Sequence, residues 1–164
     1  MKKSVLLVMI TLMTMTVAHS QQGNFSFGIN AGIPVGDIEE FATFNLGGEA
    51  AYRFDLSEQF KIGGVVGYSH FFGDSGEDEF GSWEVEDFQF LPLAASARFN
   101  MNQFFAGADV GYAVGVNDGN EGGFYYKPLA GINFGKIGAL VSYSGISRDN
   151  FTVSTVNLGL EYNF

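Results

Sequence analysis

The chain has 164 residues and no cysteine, which removes disulfides, thiolate metal sites and thiol chemistry from consideration. Glycine supplies 23 residues and aromatics 16%, with 18 Phe, while charged residues reach only 16%. Eighteen acidic residues against eight basic ones give a net charge of −10, which disfavours a nucleic-acid partner.

The first segment, "MKKSVLLVMITLMTMTVAHS", has a basic start at Lys2 and Lys3, an apolar run and a small-residue end at Ala18–Ser20. This pattern predicts a secretory signal peptide over residues 1–20, cut before Gln21. A membrane anchor is the competing reading, but the apolar run is short and diluted by threonine. Cleavage leaves six basic residues against 18 acidic ones, a net charge of −12. Residues 21–164 read as one domain, with no linker and no second domain after it.

Beyond residue 20, period-two alternation dominates and no helical stripe appears. The pattern predicts strands at Asn24–Ile33, Phe44–Phe54, Phe60–Phe71, Phe88–Phe99, Phe104–Val116, Phe124–Phe134, Ile137–Ile146 and Thr152–Phe164. Most have about ten residues or slightly more, the length with which a tilted strand crosses a bilayer. Tight polar turns, "DLSEQ", "NMNQ" and "GK", alternate with longer links such as "PVGDIEEFAT" and "FGDSGEDEFGSWEVED". Short turns at one end and longer loops at the other predict an all-β fold, an eight-stranded antiparallel up-and-down transmembrane β-barrel.

Alternation alone does not say which face meets water, because a soluble barrel would carry its apolar face inward. The side chains decide. One parity set reads Phe44, Leu46, Gly48, Ala50, Tyr52, Phe54 in the second strand and Leu158, Leu160, Tyr162, Phe164 in the last. The opposite set reads Asn45, Gly47, Glu49, Ala51, Arg53 and Asn157, Gly159, Glu161, Asn163. A water-facing outer surface has no need of glycine, which weakens strands. The narrow inside of an eight-stranded barrel does need small residues. The apolar set is therefore assigned to lipid and the small, polar set to the interior.

The strand charges Glu49, Arg53, Lys61, Arg98, Asp109, Lys127 and Glu161 all fall on the inner parity. Three acids and four bases in a closed space predict an interior polar network, since buried charges need partners. Its plainest role is structural; an ion or proton relay is the sharper alternative. Phe25, Phe54, Phe60, Phe99, Phe104, Phe134 and Phe164 lie at the short-turn ends of their strands. Tyr68, Tyr112, Tyr126 and Tyr143 lie toward the long loops, so the aromatics read as two interfacial belts. In "FQFLPLAASARF", Phe88 and Phe90 are placed inward, and Pro92 predicts a bulge or bend.

With these residues in place, the chain resembles the eight-stranded outer-membrane β-barrel proteins of Gram-negative bacteria, of the OmpX/OmpA type. More narrowly it is similar to the small barrel-only outer-membrane proteins of Bacteroidota. The match is carried by the signal peptide, "FLPLAASARF", "FFAGADVGYAVGV", "LVSYSGIS" and "VNLGLEYNF", and spans the mature chain. The resemblance implies location in the cell outer membrane and contact with its lipid and lipopolysaccharide. It also implies a porin-like barrel wall and assembly by the barrel-assembly machinery, with Leu158, Leu160, Tyr162 and Phe164 as the assembly signal. A monomer is expected. One such fold hosts many activities, so the resemblance does not choose among them.

The long loops hold 13 of the 18 acids and only Arg148 as a base, so the exterior end is expected to be anionic. Solubility and loop self-repulsion explain that simply. Divalent-cation binding at "DSGEDE", by Asp74, Glu77, Asp78 and Glu79, is the sharper reading, although the spacing is not that of an EF-hand. Catalytic groups are scarce. His70 is the one histidine beyond residue 20, and a Ser-His-Asp set could be drawn only from Ser69 or Ser75, His70 and Asp74. His70 shares parity with Tyr68 and so is expected on the lipid face. The expectation is a non-enzymatic barrel without a cofactor, with a structural or surface-interaction role and a largely plugged polar interior. A narrow channel for small solutes or ions and a lipid-modifying enzyme are the alternatives.

Overall fold

The structure is a computed structural model that describes residues 23–39, 41–78, 81–84, 86–117, 120–148 and 151–164, with backbone alone at 75–78 and 81–84. The predicted signal peptide lies outside the described residues, as do Glu40, Glu79, Asp118 and Asp149. The described strands are β1 (Gly23–Val35), β2 (Ala42–Asp55), β3 (Phe60–Gly73), β4 (Ser75–Asp78), β5 (Gly81–Glu84), β6 (Phe88–Met101), β7 (Phe104–Gly115), β8 (Gly123–Phe134), β9 (Ile137–Arg148) and β10 (Phe151–Asn163).

Eight of them close in the order β1-β10-β9-β8-β7-β6-β3-β2. Every neighbouring pair is antiparallel, from Ser26↔Asn163 in β1–β10 to Phe71↔Phe88 in β3–β6. Closure removes the unpaired edge that an open sheet would expose. The turn between β8 and β9 is only Gly135–Lys136, and Gly135 takes φ +65° there. Asn102, at φ 56°, fills the same left-handed need between β6 and β7.

Three features differ from the sequence reading. The link after β3 is not all loop, because β4 and β5 form a two-stranded hairpin, Ser75↔Glu84 to Asp78↔Gly81. The link after β1 contains a 3-10 turn, Gly36–Ile38, whose Ile38 is 1% exposed. At Pro92 the expected bulge is absent. Strands β3 and β6 keep one register on both sides of it, Val66↔Leu93 and Ser69↔Phe90, and pairing simply lapses between. Proline has no N–H to donate, so one ladder rung is lost without inserting a residue. Pro128 does the same between β8 and β9, flanked by Tyr126↔Gly145 and Leu129↔Ser142.

The faces sort as the side chains dictate. Leu158, Leu160, Ile29, Leu93, Val110 and Val141 all point outward and are exposed. Asn45, Arg53, Arg98, Asp109, Lys127, Asn157 and Glu161 point inward and are buried. A folded chain with charges inside and large apolar groups outside is stable only in a solvent that is itself apolar on the outside.

Candidate functional site

The lumen carries a chain of ion pairs. Arg53 Nη1 donates to Glu161 Oε2 at 3.2 Å, with side-chain exposures of 5% and 7%. The same guanidinium donates to Ser26 Oγ (3.0 Å) and Ser96 Oγ (2.9 Å). Arg98 Nη1 meets Asp109 Oδ1 at 2.8 Å. Lys127, on β8, pairs with Glu49, on β2, across the lumen. The register prepares these contacts. Glu49 and Glu161 both face Gly28 of β1, whose lack of a side chain leaves them room. Lys61 departs from this set. It sits at the short-turn rim and pairs with Asp55 at 3.1 Å, with exposures of 30% and 37%. Asp55 was not among the sequence candidates, because it stands at the strand end rather than within it.

Apolar layers lie on both sides of the ion pairs. Toward the long loops, Ile38, Phe71, Phe90, Tyr125, Ile146 and Val153 form one cluster. The Phe71 and Phe90 rings meet edge-to-face, with centroids 5.9 Å apart. Phe105, Leu129 and Leu140 form the second cluster, toward the short turns. A void of about 30 Å3 between the upper cluster and the ion pairs touches Asn45, Glu49, Tyr125 and Lys127. That is room for one or two waters. The parity of Phe90 places it inward; its packing with Ile38, Phe71, Tyr125 and Ile146 into a layer depends on contacts between distant segments. A shallow vestibule of about 300 Å3 opens at the short-turn end, rimmed by Asn24, Asn100, Asn133 and Asn163.

A second polar group lies on the outer wall. Tyr68 Oη lies 3.2 Å from His70 Nδ1, and His70 Nε2 lies 2.8 Å from Asp87 Oδ2. The Gly73 N–H donates to Asp87 Oδ1 at 2.9 Å. An ionised carboxylate can only accept, so Nε2 carries the proton that His70 donates to Asp87. The Gly73 N–H, and then His70, hold the Asp87 carboxyl below the usual carboxylate range. Of the Ser-His-Asp set drawn from sequence, the version with Ser69 does not assemble, and the side chain of Ser75 lies outside the described residues. Ser69 Oγ faces the lumen and accepts from Asn45 Nδ2 at 2.8 Å, on the opposite side of the wall from His70. Asp87, 17 residues on, takes the place proposed for Asp74. Period-two parity could have excluded Ser69; nothing local could have named Asp87.

Of the cation candidates, Asp74 lies between β3 and β4, and its backbone N–H donates to Phe41 O at 3.0 Å. Glu77 and Asp78 belong to β4, whose side chains are not described, and Glu79 lies outside the described residues. Among the described residues no three acidic or histidine side chains converge on one point. At the other end, Leu158, Leu160, Tyr162 and Phe164 all project outward from β10. The Phe164 ring packs 5.5 Å from Phe25 and 4.9 Å from Tyr162.

The fold defines the class: this is an eight-stranded up-and-down barrel of the transmembrane kind. No family model matches the chain, and no curated protein matches it. Solved structures do. The Yersinia pestis outer membrane protein Ail, in a phospholipid bilayer nanodisc, has TM-score 0.59 and 18% identity, covering 87% of this chain and 100% of that one. The N-terminal β-barrel domain of Pseudomonas aeruginosa OprF has TM-score 0.54 and 16% identity, over 87% and 100%. Neisserial surface protein A has TM-score 0.50 and 12% identity, over 87% and 96%. At these identities the likeness is one of fold.

Proposed function

We propose that the chain is an integral outer-membrane barrel with a structural or surface-interaction role, exported by its N-terminal signal. One observation carries this: the wall is apolar outward while Arg53, Arg98 and Lys127 are ion-paired inward. The long-loop end faces the cell exterior in this reading, next to lipopolysaccharide, and the short turns face the periplasm. The outward row of β10, Leu158 to Phe164, serves recognition by the barrel-assembly machinery. The barrel acts as a monomer. The upper cluster and the ion pairs together close the lumen, which argues against the narrow-channel alternative. The lumenal position of Ser69 argues against the version of the lipid-modifying enzyme that pairs it with His70.

Surface interaction would then be made by the loops. Ail has been solved in complex with the heparin analogue sucrose octasulfate, a polyanion. The acidic excess of the loops here opposes such a ligand and favours cationic or amine-bearing partners. Fractionation tests the reading: the chain should sediment with outer membranes and migrate differently on SDS gels before and after boiling. Recovery as a soluble periplasmic protein would sink it.

A further inference from the structure

The vestibule at the short-turn end differs from the rest of the lumen in what lines it. Its volume is about 300 Å3, and its charged lining is Arg53, Lys61, Arg98 and Glu161, three bases against one acid. Asp109, the partner of Arg98, is fully buried and is not part of that lining. Ser96, Arg98 and Asn100 take successive inward positions on β6, and the Arg53–Ser96 hydrogen bond brings the Arg53 guanidinium against the same strand. Both guanidiniums keep one N–H in reserve. Arg53 donates from Nε to Ser96 and from Nη1 to Ser26 and Glu161, and its Nη2 has no partner among the described residues. Arg98 donates from Nη1 and Nη2 to Asp109, and its Nε is likewise unpartnered among the described residues. Asn100 Nδ2 is the third such donor. The two arginines are only 4% and 3% exposed, so bulk water does not simply take these hydrogen bonds.

We propose that this vestibule binds a small oxyanion, a phosphate or a carboxylate, taken from the solvent at the short-turn end. Buried N–H groups are nearly always paired in folded proteins, so three unpaired donors around one cavity point to a ligand that accepts. Guanidinium and ammonium groups can only donate. A water that accepted these hydrogen bonds would have to place two hydrogens of its own. An oxyanion has none to place and offers several lone pairs, and its hydrogen bonds to arginine are charge-assisted. Arginine suits the role because its N–H fork matches oxyanion geometry and its charge persists across the physiological pH range. The surplus of bases on the lining attracts an anion, and the acidic loops at the opposite end repel one, so approach is from the short-turn side. Under the membrane-spanning reading that side is the periplasm; the donor set itself does not rest on that reading.

The test uses the full chain, labelled with nitrogen-15 and refolded in detergent micelles. Inorganic phosphate replaces sodium chloride at constant ionic strength, and the Arg98 Nε–H and Asn100 side-chain amide signals are followed by NMR. Both signals should shift and saturate with phosphate and stay still in chloride alone. Asn100→Leu removes one donor and should weaken phosphate binding about tenfold, the worth of one hydrogen bond to a charged acceptor. Asn100→Asp places a fixed carboxylate in the vestibule and should abolish the saturable shift of the Arg98 signal. Both variants keep the Arg53–Glu161 and Arg98–Asp109 pairs, so the barrel should still form, which heat-modifiable migration on SDS gels checks. A folded barrel whose signals never saturate, or respond alike to phosphate and chloride, overturns this inference alone. So does an Asn100→Leu variant that binds phosphate as the wild type does. A chain that never gives the heat-modifiable barrel overturns the membrane reading and this inference with it.

Discussion

Arg98 and Asp109 face each other inside the barrel from adjacent strands, 2.8 Å apart, with side-chain exposures of 4% and 0%. Gly107, directly opposite Arg98 in register, is what lets the arginine stem lie across β7. A Cβ there would stand 2.8 Å from Arg98 Cδ and 2.2 Å from Ala97 O. The pair therefore depends on a neighbour with no side chain, which explains why glycine appears on the inner parity. Removing one partner leaves an uncompensated buried charge. Asp109→Ala should cost about 3–5 kcal/mol, whereas replacing both residues with Met and Leu should cost far less. Guanidinium unfolding of each variant in lipid vesicles, followed by tryptophan fluorescence, measures the difference.

Phe71 lies under the loop-side opening, 1% exposed and edge-on to Phe90. Phe71→Ala should cost about 3–5 kcal/mol through the cavity it leaves. It should still give no stepwise conductance in planar bilayers under the proposed plugged interior, in which the Lys127–Glu49 pair spans the lumen below it. Regular conductance steps in the wild type would restore the channel reading.

Asp87 ties the base of the β4–β5 hairpin to β3 through Gly73 and His70. Its carboxyl is held below its ordinary value in the folded state. A depressed folded value means the tether is fully present above the ordinary carboxylate range and is lost as pH falls through the folded value. The Gly73 amide should therefore stay hydrogen-bonded at neutral and mildly acidic pH and be released only in stronger acid. Amide-proton NMR in nanodiscs would follow this directly, and Asp87→Asn should remove the transition.

Much of the fold was legible because period-two alternation and turn chemistry are local signals. The inner parity of Glu49, Arg53, Arg98, Asp109, Lys127 and Glu161 followed from counting by twos. What was not legible came from contacts between distant segments. Glu49 and Lys127 are 78 residues apart and meet only once the barrel has closed. Ile38 reads as loop in sequence and is buried because a 3-10 turn folds it over the opening. His70 could be placed on the outer face by parity. Its partner Asp87 depends on the register of β6 against β3, His70↔Gln89, which no local pattern encodes.

The central claim is that lipid, not water, is the outer solvent. Leu158 tests it, since it is 72% exposed and lies well inside β10, seven residues in from Phe151. An exposed leucine of a water-soluble barrel tolerates arginine within about 0.5 kcal/mol. On a lipid-facing strand near the bilayer midplane the same change costs about 2–4 kcal/mol. The unfolding free energy of Leu158→Arg relative to wild type, measured in phospholipid vesicles, should fall in that higher range. A variant as stable as wild type in vesicles would contradict the account.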